Sequence, residues 1–90
     1  MSDEIARLRS SIDANDRVIV AAVNERLRLV TELWQRKSEH GVDRLDPERE
    51  ARLRAGLAAA NNGPLSADGL DRLVDELLAL TKRELADESA

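Results

Sequence analysis

Asn15 and Arg26 interrupt an apolar stripe that runs Ile5, Leu8, Ile12, Ile19, Ala22, Leu29 and Leu33. Lys37 follows Arg26 by eleven residues. That is almost a whole number of helical turns, so on a helix the two cations point the same way, about 16 Å apart along the axis. Two cations facing a helix-packed interior are costly unless they meet anions. Arg9 lies roughly 100° off that face, so it does not serve the same pocket from the same chain, although across a dimer it could. Further on, Asp46, Arg49, Glu50 and Leu53 follow i, i+3, i+4, i+7 spacing. They share one helix face, and Leu53 marks that face as inward-looking. Two or three Arg or Lys side chains with a carboxylate inside a helical core suit a small, multiply anionic ligand that carries a hydroxyl.

Each of these residues also has a purely structural reading. Arg9, Arg26 and Arg49 fit as surface or seam ion-pair partners. Asn15 fits as a polar residue that sets register in a helical seam. Asp46 is a good helix N-cap, and Lys37 complements the negative end of a helix dipole. Trp34 reads as core and His40 as a solvated loop residue.

Composition removes most other chemistry. Ninety residues make one domain, 1–90, and a core of this size buries only about 60–65% of the chain's surface. There is no cysteine and one histidine, so a thiolate nucleophile, a disulfide and the usual zinc ligand sets are all excluded. Trp34 is the lone aromatic residue, too few for a base-stacking platform. A formal net charge of −4 argues against duplex DNA as a partner. No apolar run approaches the length of a membrane span and no signal-peptide pattern opens the chain, so a soluble cytoplasmic protein is expected. Leu and Ala supply most of the apolar residues and β-branched residues are few, which favours helix.

The elements that would position the charged residues are three helices, an all-α fold. The first should run from about Asp3 to Glu39, capped by Ser2 or Asp3, with a second apolar flank at Val18, Val23, Val30 and Trp34. The second should start with Asp46 as N-cap and Pro47 at the first helical position, and end near Ala60 at Asn61-Asn62-Gly63. The third should run from Ser66 to about Asp87 with a stripe of Leu70, Leu73, Val74, Leu77, Leu78, Leu80 or Thr81, and Leu85. The first helix would be about 50–55 Å long, whereas a compact globule of this size is about 30 Å across. Its apolar stripe continues along the overhang and needs cover. A second copy is the simplest supplier, so an intertwined helical homodimer is expected.

Taken together, Leu8-Arg9, Ile12-Asp13, Asp16, Glu25-Arg26, Lys37 and Asp46-x-x-Arg49-Glu50 resemble the all-helical (AroQ-type) chorismate mutases. The resemblance covers the first helix, the loop and the second helix without a gap, and the third helix more loosely. The segments 41–50 and 61–64 also look like the small Gram-positive and actinobacterial members. The resemblance implies conversion of chorismate to prephenate, a pericyclic [3,3] shift in phenylalanine and tyrosine biosynthesis that uses no nucleophile, proton transfer or cofactor. It implies a domain-swapped homodimer in which Arg9 comes from one chain and the other site residues from its partner. Arg9 and Arg26 would clamp carboxylates, and Lys37 would reach the ether oxygen and a carboxylate. Glu50 would accept the ring hydroxyl's hydrogen bond with help from Asp46, and Arg49 would pair with carboxylates and orient the site.

The third helix departs from the family pattern of a Ser and, four residues later, a Gln that donates to the ether oxygen. Thr81 and Leu85 stand there. Thr81 keeps a hydroxyl, Leu85 cannot donate, and Glu84 substitutes only if the helix is rotated or shifted. Otherwise the third helix contributes poorly, and the isolated enzyme would be slow and gain from a partner, as small actinobacterial members do from 3-deoxy-D-arabino-heptulosonate 7-phosphate synthase. Two other functions stay open at this point. One is isochorismate-pyruvate lyase, which shares the fold; the other is a non-catalytic helical dimerisation or regulatory module.

Overall fold

The computed structural model describes residues 2–86, with the side chain of Ser2 left aside. Three helices follow in order, α1 (Ser2–Glu39), α2 (Pro47–Ala60) and α3 (Ala67–Ala86). No strand occurs among the described residues, in line with the expected all-α class. The expected Ser2 cap and the expected end of α3 at Asp87 lie outside the described residues.

The helix ends follow from particular side chains. α1 contains no Gly or Pro, carries Asp3 and Glu4 in its first turn and has Arg36 and Lys37 in its last, charges that complement both ends of its dipole. It stops at a Schellman motif. Val42 N–H donates to the Lys37 carbonyl at 2.7 Å and Gly41 N–H to the Ser38 carbonyl at 3.2 Å. Gly41 takes φ 67°, the left-handed conformation that this motif requires and that glycine adopts without a Cβ penalty. α2 opens as expected, with Pro47 in the first turn and the Asp46 carboxylate accepting from Arg49 N–H at 3.0 Å. α3 opens on Ser66, whose Oγ accepts from Gly69 N–H at 3.0 Å. Removing the α2 cap with Asp46→Ala should cost about 1 kcal/mol, read as a lower urea midpoint with an unchanged slope.

The chain divides into two compact units between Glu32 and Leu33. In the first unit the expected stripe is uncovered: Ile5, Leu8, Ile12 and Ile19 are each more than half exposed. In the second unit α2 packs against α3. Leu70, Val74, Thr81 and Leu85 are buried, Leu77 and Leu78 half-buried, and Leu53 and Leu57 of α2 are half-buried. Leu73, expected in the α3 stripe, is 48% exposed. It lies about 100° around the helix from Val74, and Val74 is the residue turned inward. At the alternative between Leu80 and Thr81 the helix buries Thr81 and leaves Leu80 half-buried. A buried hydroxyl needs a partner, and Thr81 Oγ1 donates back to the Leu77 carbonyl at 2.7 Å.

Candidate active site

The second unit assembles one group of charged side chains around the loop between α1 and α2. Lys37 sits in the last turn of α1, half-buried, and its Nζ donates to the Arg44 carbonyl at 3.3 Å. A neutral carbonyl takes one of the three ammonium protons, and among the described residues no carboxylate forms an ion pair with it. Arg44 itself lies over Trp34, with Cζ 4.4 Å from the ring centroid, a cation–π contact that ties the loop to α1. Trp34 is therefore a half-buried platform for the loop and less enclosed than the core position expected for it. Asp43 closes the loop with an Asx turn, its carboxylate accepting from Leu45 N–H at 3.1 Å. His40 is exposed, as expected.

Asp46, Arg49 and Glu50 come together at the first turn of α2. Asp46 holds Arg49 N–H through its side chain and Glu50 N–H through its carbonyl at 3.0 Å. All three are exposed, and the inward tilt of this face is carried by half-buried Leu53. Glu50 meets a residue that spacing did not single out. Arg54 Nη2 lies 3.4 Å from Glu50 Oε1 and 2.6 Å from Asp75 Oδ1 of α3. The hydrogen bond to Asp75 raises the Arg54 pKa above its ordinary value, outweighing the lowering by burial. The i, i+4 spacing of Glu50 and Arg54 is visible in the sequence, but the partner on α3 is not.

On α3, Thr81 and Leu85 share the inward face and Glu84 is exposed one position away. Leu85, the position that the resemblance matches to the family's Gln, is turned inward. In the first unit, Arg9 is exposed and Arg26 half-buried, and neighbouring Glu25 and Arg28 form an exposed ion pair at 3.2 Å.

A family model described as chorismate mutase type II matches residues 8–85. The chain belongs to the chorismate mutase type II family. The match takes in every charged position from Arg9 to Glu84. Among solved structures, the chain is similar to the form I structure of chorismate mutase from Thermus thermophilus. The TM-score is 0.82 at 33% sequence identity, covering 87% of this chain and 98% of that one. Among curated proteins it is 37% identical over 78 residues to the T-protein of Haemophilus influenzae, covering 86% of this chain. The chain spans 20% of the length of that T-protein. The three helices thus form a chorismate mutase type II domain of the all-helical kind. Among the described residues, no helix is long and apolar enough to cross a membrane.

Proposed function

We propose that this domain converts chorismate to prephenate in phenylalanine and tyrosine biosynthesis, as a cytoplasmic homodimer with two sites. The observation that carries the reading is the family match over residues 8–85, which spans the whole charged set. The reaction breaks the ether C–O bond and forms a C–C bond within one molecule, so nothing is transferred to the protein. Two effects then remain for the side chains. One is holding the dianion in its compact chair, where the reacting carbons meet. The other is placing positive charge where negative charge develops on the ether oxygen.

Arg26, and Arg9 from the second chain, clamp the carboxylates, since a guanidinium fork matches a carboxylate bidentately. Lys37 serves the ether oxygen. Its ammonium at the end of α1, held by a neutral carbonyl, suits a single developing oxyanion. Glu50 accepts from the ring hydroxyl with Asp46 beside it, Arg49 orients the carboxylates, and Thr81 lines the α3 side. The second copy covers the α1 stripe. Among the described residues of one chain only Leu70, Val74 and Leu85 are buried apolar side chains, while Ile5, Leu8, Ile12 and Ile19 are more than half exposed, so the stripe gains by burial against a second copy.

Glu84 is exposed, and buried Leu85, at the position the resemblance matches to the family's Gln, cannot donate to the ether oxygen, so α3 contributes little there and the domain is slow and gains from a partner. For that partner the likeness to small actinobacterial members points to 3-deoxy-D-arabino-heptulosonate 7-phosphate synthase. The direct test of the activity is loss of chorismate absorbance with the purified protein and identification of the product as prephenate. Salicylate and pyruvate from isochorismate, with no product from chorismate, would overturn the reading in favour of the lyase.

A further inference from the structure

The geometry points to Arg54 as a positioning residue for the reaction, acting through Glu50. This inference rests on the proposed role of Glu50 as acceptor for the ring hydroxyl. Arg54 lies one turn beyond Glu50 on α2, and its Nη2 is shared between two carboxylates on different helices. It is 2.6 Å from Asp75 Oδ1 on α3 and 3.4 Å from Glu50 Oε1. The shorter contact is the anchor. Asp75 and Arg54 are 21 residues apart in the chain, so this pair also joins α2 to α3. The Arg54 side chain is 33% exposed, whereas those of Glu50 and Asp75 are 50% and 65% exposed. The guanidinium is thus the most enclosed member of the three.

An exposed glutamate has three rotatable bonds and loses much side-chain freedom when it is fixed. A carboxylate that must receive a hydroxyl at hydrogen-bond distance gains from having that freedom removed beforehand. Arg54 removes it by holding one oxygen, Oε1, from the α3 side, and the second oxygen, Oε2, is left to accept. The planar fork of an arginine can face two carboxylates at once, with one held tightly and the other more loosely. A surface pair at 3.4 Å adds little stability by itself, so the contact is better explained by the direction it gives Glu50 than by energy. In this role Arg54 touches no reacting atom and adds no charge to the ether oxygen.

The test is a double-mutant cycle on the full dimer with chorismate, using Arg54→Met, Glu50→Gln and the double variant, with Arg54→Lys as the conservative control. The wild-type enzyme and Glu50→Gln alone report on the reading beneath. If the wild type turns over chorismate and Glu50→Gln weakens it, that reading stands whatever Arg54 does. Arg54→Met should then lower kcat/KM about tenfold, mainly through KM, because the hydroxyl bond is made in the ground state as well as the transition state. Arg54→Lys should recover most of the loss. In the Glu50→Gln background the same Arg54→Met change should cost less than about twofold, because the group it positions is gone. Asp75→Asn removes the anchor and keeps the guanidinium, so it should give a smaller loss of the same kind that also vanishes beside Glu50→Gln. It serves as the readout if Arg54→Met does not fold. Equal losses in both backgrounds, tracking a fall in melting temperature, would overturn the inference and reduce Arg54 to a brace between α2 and α3.

Discussion

Lys37→Ala should leave a folded dimer that has lost mutase activity by on the order of 10²-fold or more. The loss should fall equally on kcat and kcat/KM, because the charge matters most when the ether oxygen becomes negative. The structural cost should be small. Lys37 makes one hydrogen bond to the Arg44 carbonyl, and a neutral-acceptor bond of this kind contributes about 0.5–1.5 kcal/mol net. The loop keeps its other ties, the Arg44–Trp34 contact and the Asp43 turn. Arg26→Ala should show a loss of similar size, with a larger share in KM because its proposed partner is a carboxylate present throughout the reaction. A non-catalytic helical module predicts the reverse pattern, in which both substitutions change only stability. Steady-state kinetics beside thermal melts separate the two, and a folded Lys37→Ala dimer with full activity would refute the assigned role.

Ile12→Asp should abolish assembly. Ile12 is 58% exposed in the single chain and stands between Leu8 and Ile19 in the uncovered stripe of the first unit. A monomer would tolerate the carboxylate at little cost. In a dimer the same carboxylate enters an apolar seam, twice by symmetry, with a penalty of several kcal/mol for each unpaired charge. Sedimentation velocity should show loss of the dimer, and far-UV circular dichroism should show loss of helix with it, because the stripe then has no cover. An Ile12→Asp protein with unchanged mass and helicity would mean that the stripe is not the seam.

The two kinds of sequence signal fared differently for physical reasons. Local signals were legible. The Asp46–Pro47 start of α2, the end of α1 at Glu39 and the opening of α3 at Ser66 depend on hydrogen bonds within a few residues, and each stands where the sequence placed it. The α3 stripe was legible in period, and its centre needed the packing partner: Leu73 and Val74 both fit an apolar stripe, and only the α2 side decides that Val74 turns in. The candidate site was legible as a set of charges, since charge at a core period is conspicuous. Its tertiary links were not. Arg54 reads on the sequence as an ordinary i, i+4 partner of Glu50, and its closer bond is to Asp75 across the α2–α3 turn. The Lys37 bond to the Arg44 carbonyl is equally invisible, because a backbone acceptor carries no residue signature. At Thr81 and Leu85 the departure from the family pattern was visible in the letters, and the register adds that Leu85 faces inward and Glu84 outward.

The proposed active site draws Arg9 from one chain and Lys37 from the other. Complementation tests it directly. Arg9→Ala and Lys37→Ala chains should each be inactive alone, since every site in either homodimer lacks one cation. Mixed one to one and allowed to exchange, half of the dimers are heterodimers. In each of these, one site carries both lesions and the other carries none. Prephenate formation should therefore recover to about a quarter of the wild-type rate per chain. Heterodimers that form, verified by native mass spectrometry, yet stay inactive would contradict the account and place Arg9 and Lys37 in the same chain's site or outside the chemistry.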